Sequence, residues 1–471
     1  MSKPTSSPHQ HHANQHDSGR AQADPAVEFV PGGPLVGSVR PPGSKSLTNR
    51  ALICASFADG VSLLTGALRS EDTEVMIEAI RSIGVTVEVT DGGRRLSVDT
   101  SGRRELSAKD PRLDLFIANS GTTIRFLTAA LSAGGGHYCL HGVQRMHERP
   151  IADLVDALAP IQSGTLRADS PGGCPPVLIQ SDGWSGETIE VAGGVSSQYL
   201  SGLMMAAPIA NASNRRTTIN VVGELVSRPY VDMTATVMES FGANVTMDDL
   251  GSADKPTLAV EIDGSGYRAV EYQIEPDASA ASYFWAAAAI SGGDVTVEGL
   301  SRGAIQGDVG FCEVLQQMGC EVTYNDDAIR VRGRASMGID IDMNAISDTV
   351  QTLSVVALFA SGPTRVRGVA HNRYKETDRI GDLATELRKL GASVQEYDDG
   401  LTIVPPSGAD GAGICGATLE TYHDHRMAMS LALAGLRVSG VRVLNPACTG
   451  KTYPEYFADM ERLIGRAHRW S

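Results

Sequence analysis

Positive charge is in short supply in this chain of 471 residues: 40 lysines and arginines face 55 aspartates and glutamates, for a net charge of −15. Nucleic acid is therefore excluded as a partner, and an anionic membrane surface with it. Any anionic ligand has to be held by a local basic cluster working against the field of the whole molecule. Cysteine is sparse, with seven scattered residues (54, 139, 174, 312, 320, 415 and 448) and no C-x-x-C pair. That pattern excludes a disulfide framework and a zinc knuckle, and it fits reduced thiols in a cytoplasm. No apolar run approaches the roughly 18 residues of a membrane span, and the N-terminus does not read as a signal peptide. A nucleotide-binding P-loop is missing too. The stretch "PPGSKSLTNR" at 41–50 sets Lys45 between two serines, but it has one glycine and no G-x-x-x-x-G-K.

Glycine, by contrast, is plentiful at 51 residues, which implies many tight turns and close backbone approaches. The length suits about two or three domains, each with its own core. Residues 1–25 are polar and include "HQHHANQH" at 9–16, which reads as a disordered tail rather than a metal site.

The most informative large-scale feature is a weak internal repeat. Six segments open on a small polar or acidic residue and run into an apolar helical stretch: Ser46, Ser120, Ser196, Asp277, Asp348 and Asp424. Successive starts lie 74, 76, 81, 71 and 76 residues apart. Most copies then carry a second helix ending through glycine into an alternating strand, as in "VMIEAIRSIGVTVEV", "TATVMESFGANVTM", "CEVLQQMGCEVTY" and "LATELRKLGASVQEY". Each unit reads as β-α-β-α-β-β. The opening residues are N-cap types, and a helix N-terminus attracts anions. Lys45, Arg50, Arg125 and Arg426 fall at or within the starts of three of these helices. Several helix mouths converging on one place would make an anion site, with the loop at 41–50 as one of them.

Further basic residues sit in loops: Arg145 in "VQRMHERP", Arg373, Lys375 and Arg379 in "HNRYKETDR", and Lys451 in "CTGKTYP". Taken alone, "KETDR" reads equally well as a solvated helix start with local ion pairs. Nine motifs in order are more specific. "PGSKSLTNRAL", "NSGTTIRF", "RMHERPI", "GGVSSQYLSGLMMAAP", "VSRPYVDMT", "DASAASYF", "KETDRI", "DHRMAM" and "CTGKTYPEYF" resemble the 5-enolpyruvylshikimate-3-phosphate synthase family over about residues 27–465.

The resemblance implies an α/β (α+β) fold of two domains, each built from three β-α-β-α-β-β repeats, with the active site in the cleft between them. One domain would span 43–270 and a discontinuous second would take 26–42 plus 275–471. It also implies transfer of the enolpyruvyl group of phosphoenolpyruvate to the 5-hydroxyl of shikimate 3-phosphate, with release of phosphate, on the route to chorismate and the aromatic amino acids. Both substrates are multiply anionic, which explains the demand for Arg and Lys. Addition followed by elimination needs general acid and base groups and no metal or other cofactor.

Carried over motif by motif, Lys45, Ser46, Arg50, Ser196, Ser197, Gln198, Ser227, Asp348, His371 and Lys375 match the shikimate 3-phosphate contacts. Lys45, Asn119, Gly121, Arg145, Gln198, Arg379, Arg426 and Lys451 match those to phosphoenolpyruvate. Asp348 matches the carboxylate that deprotonates the 5-hydroxyl, and Glu376 the acid that exchanges a proton with the vinyl carbon; Lys45 is shared by both substrates. Gly121 and Thr122 match the pattern of members inhibited by glyphosate. The protein is expected to be a cytoplasmic monomer.

Two departures stand out: His371 replaces an asparagine common in the family, and Phe126 follows Arg125 where many members have proline. The pair His423 and His425 has metal-like spacing but only one carboxylate between them, and no metal site is expected. Two rival readings are an enolpyruvyl transferase acting on a UDP-amino sugar and a non-catalytic anion-binding relative. The first would carry a cysteine in the "VQRMHERP" loop, and the second would have lost charged cleft residues.

Overall fold

The computed structural model describes residues 25–471 apart from 104, 211–215, 252–255, 264–265 and 407–411. The polar tail therefore lies almost wholly outside the described residues. Twelve α-helices follow one another among them: α1 (Lys45–Ser56), α2 (Glu71–Ser82), α3 (Gly121–Gly134), α4 (Ala152–Leu158), α5 (Ser197–Ala210) and α6 (Arg228–Ser240) come first. Then come α7 (Ala278–Ser291), α8 (Phe311–Gln317), α9 (Val350–Ala357), α10 (Gly381–Lys389), α11 (His425–Ala432) and α12 (Tyr456–Ile464). Odd-numbered helices are the first of each repeat and even-numbered helices the second.

Six four-stranded sheets accompany them, all with one topology. In the second repeat, Leu113–Phe116 runs parallel to Gly136–His141, which pairs antiparallel with Cys174–Trp184, itself antiparallel to Gln162–Ser170. The β-α-β-α-β-β order is therefore observed. Three sheets borrow a strand from a distant part of the chain. Glu271–Gln273 supplies the first strand of the first repeat, parallel to Val61–Thr65. Val36–Val39 does the same for the fourth, parallel to Asp294–Glu298. Ala26–Glu28 closes the sixth, antiparallel to Arg442–Leu444 and Arg469–Trp470.

Burial of the apolar faces produces two cores. One is drawn from Leu47 through Ile274 and the other from Val27, Phe29, Leu35 and Ala278 through Ile464. Helix α7 has every residue buried, as its small, apolar sequence on all sides requires. It is the central helix of the second core, in contact with α8 and α9.

The chain passes between the cores twice, and the two passages lie side by side. Ser44 N donates to Glu275 O at 2.9 Å and Asp277 N to Pro42 O at 2.8 Å. A Cβ on Gly43 would sit 1.8 Å from Gly66 O, so only glycine fits there. Asp277 ties the passages to two helix mouths: Oδ1 accepts from Ala280 N (2.8 Å) at the start of α7, and Oδ2 from Lys45 N (3.1 Å) at the start of α1.

Several helix starts differ from the sequence expectation by a residue or two. Ser44, not Ser46, caps α1, because the antiparallel pairing of residues 42–44 with 275–277 holds the chain extended up to that point. Ser120, Asp277 and Asp424 cap α3, α7 and α11 as expected. Asp348 caps nothing: it lies in a 3-10 turn (Asn344–Thr349) before α9. Its carboxylate is thereby released into the cleft.

Candidate active site

Helices from both cores aim their N-terminal turns at one tight cavity of about 30 Å³. Lys45, Gly121, Thr122, Arg125 and Gln198 line it from the first core's α1, α3 and α5, with Asp72 from α2 and Arg149 from a loop. Asp348, Lys375, Glu376, Arg379, His425 and Arg426 line it from the second core. Six cations thus surround three carboxylates in a protein of net charge −15. The excess of positive charge is local, as an anion site in an acidic protein requires.

Arg379 organises the second-core wall. Its Nε and Nη2 donate to the two oxygens of Asp424 (2.7 and 3.2 Å), Nη2 also to Glu376 Oε2 (2.8 Å), and Nη1 to Asp348 Oδ1 (3.3 Å). Arg426 Nη2 donates to Asp348 Oδ2 at 2.7 Å, and Lys451 Nζ to Glu376 Oε1 at 2.7 Å. Across the cleft, Lys451 Nζ also donates to Asn119 O at 3.1 Å. Lys45 Nζ lies 3.3 Å from Asp72 Oδ2, and Arg125 Nη1 donates to Gln198 Oε1 at 2.6 Å. The buried Nε atoms of Arg125 and Arg149 have no hydrogen-bond partner among the described residues. Such donors favour an incoming anion.

Burial alone would raise the carboxyl pKa values, but the cations prevail. Asp348 is held well below the usual carboxylate range by Arg426, Lys375, Arg379 and Lys45, and Glu376 by Lys451, Arg379 and Arg149. Both are carboxylates at rest. Burial lowers Lys375 to about 8 against the opposing pull of Asp348. His371 falls to about 3 through burial and then Lys375, and burial followed by Arg426 keeps His425 neutral as well.

Not every residue expected from the motifs reaches the cavity. Arg145 turns outward: its Nη1 donates to the exposed Glu148 (2.7 Å) and its Nε to the Glu376 carbonyl (3.1 Å). Arg149, four residues on in "RMHERP", takes the expected place, donating to Asn119 O at 3.0 Å and standing 3.9 Å from Glu376 Oε1. Two arginines in one loop look alike in sequence; burial beside Pro150 separates them.

Arg50 lies a layer behind the lining. It donates to Thr234 Oγ1 (2.7 Å), Ser46 O (3.0 Å), Tyr230 O (3.2 Å) and Ser201 Oγ (3.3 Å), with Phe126 packed 5.2 Å beneath its guanidinium. Ser197 is buried in the first turn of α5, and Ser196 Oγ accepts from Gln198 N at 3.3 Å. Ser227 Oγ meets His371 Nε2 at 3.2 Å and Ser347 Oγ at 3.2 Å, a serine-histidine cluster joining the two cores. His423 lies apart from the cavity, its Nδ1 2.8 Å from Asn445 Nδ2.

The comparisons agree with this geometry. Residues 30–460 match the family profile described as EPSP synthase (3-phosphoshikimate 1-carboxyvinyltransferase). A 3-phosphoshikimate 1-carboxyvinyltransferase of Burkholderia multivorans is 45% identical over 428 residues, covering 89% of this chain and 95% of the relative. One from Nostoc punctiforme is 43% identical over 432 residues, covering 92% and 97%. Among solved structures, the EPSP synthase of Acinetobacter baumannii superposes with a TM-score of 0.74 at 25% identity, over 95% of this chain and all of that one. The enolpyruvyl transferase NikO of Streptomyces tendae, at 20% identity and TM-score 0.71 over 95% and 99%, shares the fold.

Proposed function

Because the chain belongs to the EPSP synthase (3-phosphoshikimate 1-carboxyvinyltransferase) family, we propose how its cleft residues divide the work of that reaction. The enzyme transfers the enolpyruvyl group of phosphoenolpyruvate to the 5-hydroxyl of shikimate 3-phosphate and releases phosphate, a step of the shikimate pathway. One observation carries the assignment of roles: cations from both cores converge on two ionised carboxylates, Asp348 and Glu376.

Shikimate 3-phosphate is held by Lys45, Ser46, Ser196, Ser197, Gln198, Ser227, His371 and Lys375. Arg50 joins them by exchanging its two longest bonds, those to Tyr230 O and Ser201 Oγ at 3.2 and 3.3 Å. Phosphoenolpyruvate takes Lys45, Asn119, Gly121, Gln198, Arg379, Arg426 and Lys451, with Arg149 in the place expected of Arg145. Asp348 draws the proton from the 5-hydroxyl while the oxygen attacks the vinyl carbon bearing phosphate. Glu376 works at the neighbouring methylene carbon. At rest it is ionised, but phosphoenolpyruvate competes for Lys451, Arg379 and Arg149, the groups that hold its pKa down. Losing them raises its proton affinity and lets it deliver and later reclaim the methyl proton.

Two domains bounded at 43–270 and at 26–42 plus 275–471 are supported by the two separate cores. The cleft is complete within one chain, in keeping with a monomer. Seven free thiols favour the reducing cytoplasm. Glyphosate is expected to compete at the phosphoenolpyruvate site. The test is phosphate release from phosphoenolpyruvate, with shikimate 3-phosphate and a UDP-amino sugar as alternative acceptors. Release with the sugar alone would overturn the reading.

A further inference from the structure

Behind the substrate-facing carboxylate lies a second one that the roles above leave unused. Asp308, in a 3-10 turn before α8, is buried at 3% exposure. Its Oδ2 accepts from Tyr230 Oη at 3.0 Å and from Ser279 Oγ. Its Oδ1 is buried with no hydrogen-bond partner among the described residues. Tyr230 Oη also lies 3.1 Å from Asp348 Oδ2. A phenol has one proton and cannot donate it to two carboxylates at once. With both carboxylates ionised the phenol proton serves one of them at a time, and a second proton reaching this trio settles where the surroundings favour it. Asp348 faces the guanidinium groups of Arg426 and Arg379, at 2.7 and 3.3 Å. Asp308 has only hydroxyl partners.

The reaction itself needs somewhere to keep a proton. Addition breaks the 5-hydroxyl O–H bond as the oxygen's electron pair forms the new C–O bond, while a separate proton joins the methylene carbon. Elimination returns that second proton and breaks the C–O bond to phosphate. Phosphoenolpyruvate enters without a proton on its phosphate, and hydrogen phosphate leaves. The hydroxyl proton is the one that leaves with it, so it must be held between the two steps. Asp348, among cations, holds a proton poorly.

We propose that Asp308 is the proton store: the hydroxyl proton taken by Asp348 moves onto Tyr230 as Tyr230's own proton moves to Asp308, and the path reverses for release with phosphate. Asp308 touches neither substrate and acts through Tyr230 and Asp348, as a positioning residue. The groups facing it are Ser279, Tyr230, Asp348, Asp277 and Arg426. Burial first and Asp348 next raise it to about 7, so it accepts a proton and gives it back near neutral pH. To accept, it must start ionised, and turnover should therefore fall as pH drops below 7.

This inference rests on the proposed function, and its test separates the two. Asp308→Asn and Tyr230→Phe are compared with the parent enzyme for kcat from pH 5.5 to 8.5, shikimate 3-phosphate affinity and thermal melting. Both variants should bind shikimate 3-phosphate within about threefold of the parent and lose about tenfold or more in kcat. Asp308→Asn should also lose the acid limb near pH 7. If Asp308→Asn fails to fold, the tenfold loss in Tyr230→Phe with intact binding carries the proposal. A folded Asp308→Asn with parental kcat and pH profile overturns it, and so does a loss of affinity that matches the loss of kcat. A parent enzyme releasing no phosphate with shikimate 3-phosphate overturns the proposed function instead, and the store with it.

Discussion

Glu376 is ionised and its side chain is only 9% exposed, with Lys451 and Arg379 on its two oxygens. Replacing it by glutamine keeps its shape and removes its proton chemistry. Turnover should fall by about two to four orders of magnitude, with shikimate 3-phosphate affinity nearly intact by titration calorimetry. Lost affinity with a normal rate at saturation would sink the assignment. The two loop arginines should separate as cleanly. Arg149→Ala strips a buried charge-assisted contact and should weaken phosphoenolpyruvate by about 2–5 kcal/mol. Arg145 is 37% exposed, and its replacement should cost less than about 1 kcal/mol. Equal effects on KM would mean that both reach the substrate. His371 offers a stability test. Its folded pKa of about 3 lies below the unfolded value near 6.5, so the unfolded chain takes up the proton first. Its contribution is therefore intact above pH 6.5 and lost as pH falls toward 3. Between pH 7 and 4.5, melting should show the parent losing roughly 2–3 kcal/mol more than His371→Asn. Parallel curves would show that His371 titrates normally.

Among the elements, α3 presents the sharpest steric test. Gly121 opens it, capped by Ser120, and an added Cβ would lie 2.3 Å from Arg149 Nη2. The flexible end of Arg149 has to move if a methyl appears there. Phe126 is buried beneath Arg50 and lies outside the cavity lining. The unsubstituted enzyme should therefore bind glyphosate. An overfilled pocket costs roughly 1–3 kcal/mol, so Gly121→Ala should weaken glyphosate by about tenfold or more. Phosphoenolpyruvate, being shorter, should lose less. Inhibition and saturation curves measure both, and equal losses would assign the effect to displacement of Arg149 rather than to pocket volume.

At the scale of the molecule, the cleft is closed on itself. Ser227 N donates to Asn344 Oδ1 at 2.7 Å, and Lys451 and Tyr230 also bridge the cores. The cavity between the halves is tight, and the two adjacent passages at Pro42–Ser44 and Glu275–Asp277 are where the halves are expected to part to admit the substrates. Cations on both walls oppose closure until an anion neutralises them. Shikimate 3-phosphate should therefore draw the halves together and complete the second site. Small-angle scattering should show the radius of gyration falling when this ligand is added. No change would argue that the domains stay closed and that substrates enter by side-chain movement alone.

Local pattern determined a great deal here. The six repeats were legible because helix and strand periodicities are written within about a dozen residues, and the caps Ser120, Asp277 and Asp424 because capping acts within one turn. Most residues of the cavity, from Lys45 to Arg426, were legible through motifs that keep their chemistry in short phrases. Tertiary structure decided whatever depends on partners far away in the chain. It placed Ala26–Glu28 in the last sheet, beside residues more than four hundred positions later. It chose Arg149 over Arg145, withdrew Arg50 behind the cavity wall, and set Asp308 one phenol away from Asp348. Sequence spacing reports which side chains share a helix face. Burial, and the charge that each buried group meets there, arise only when distant segments pack.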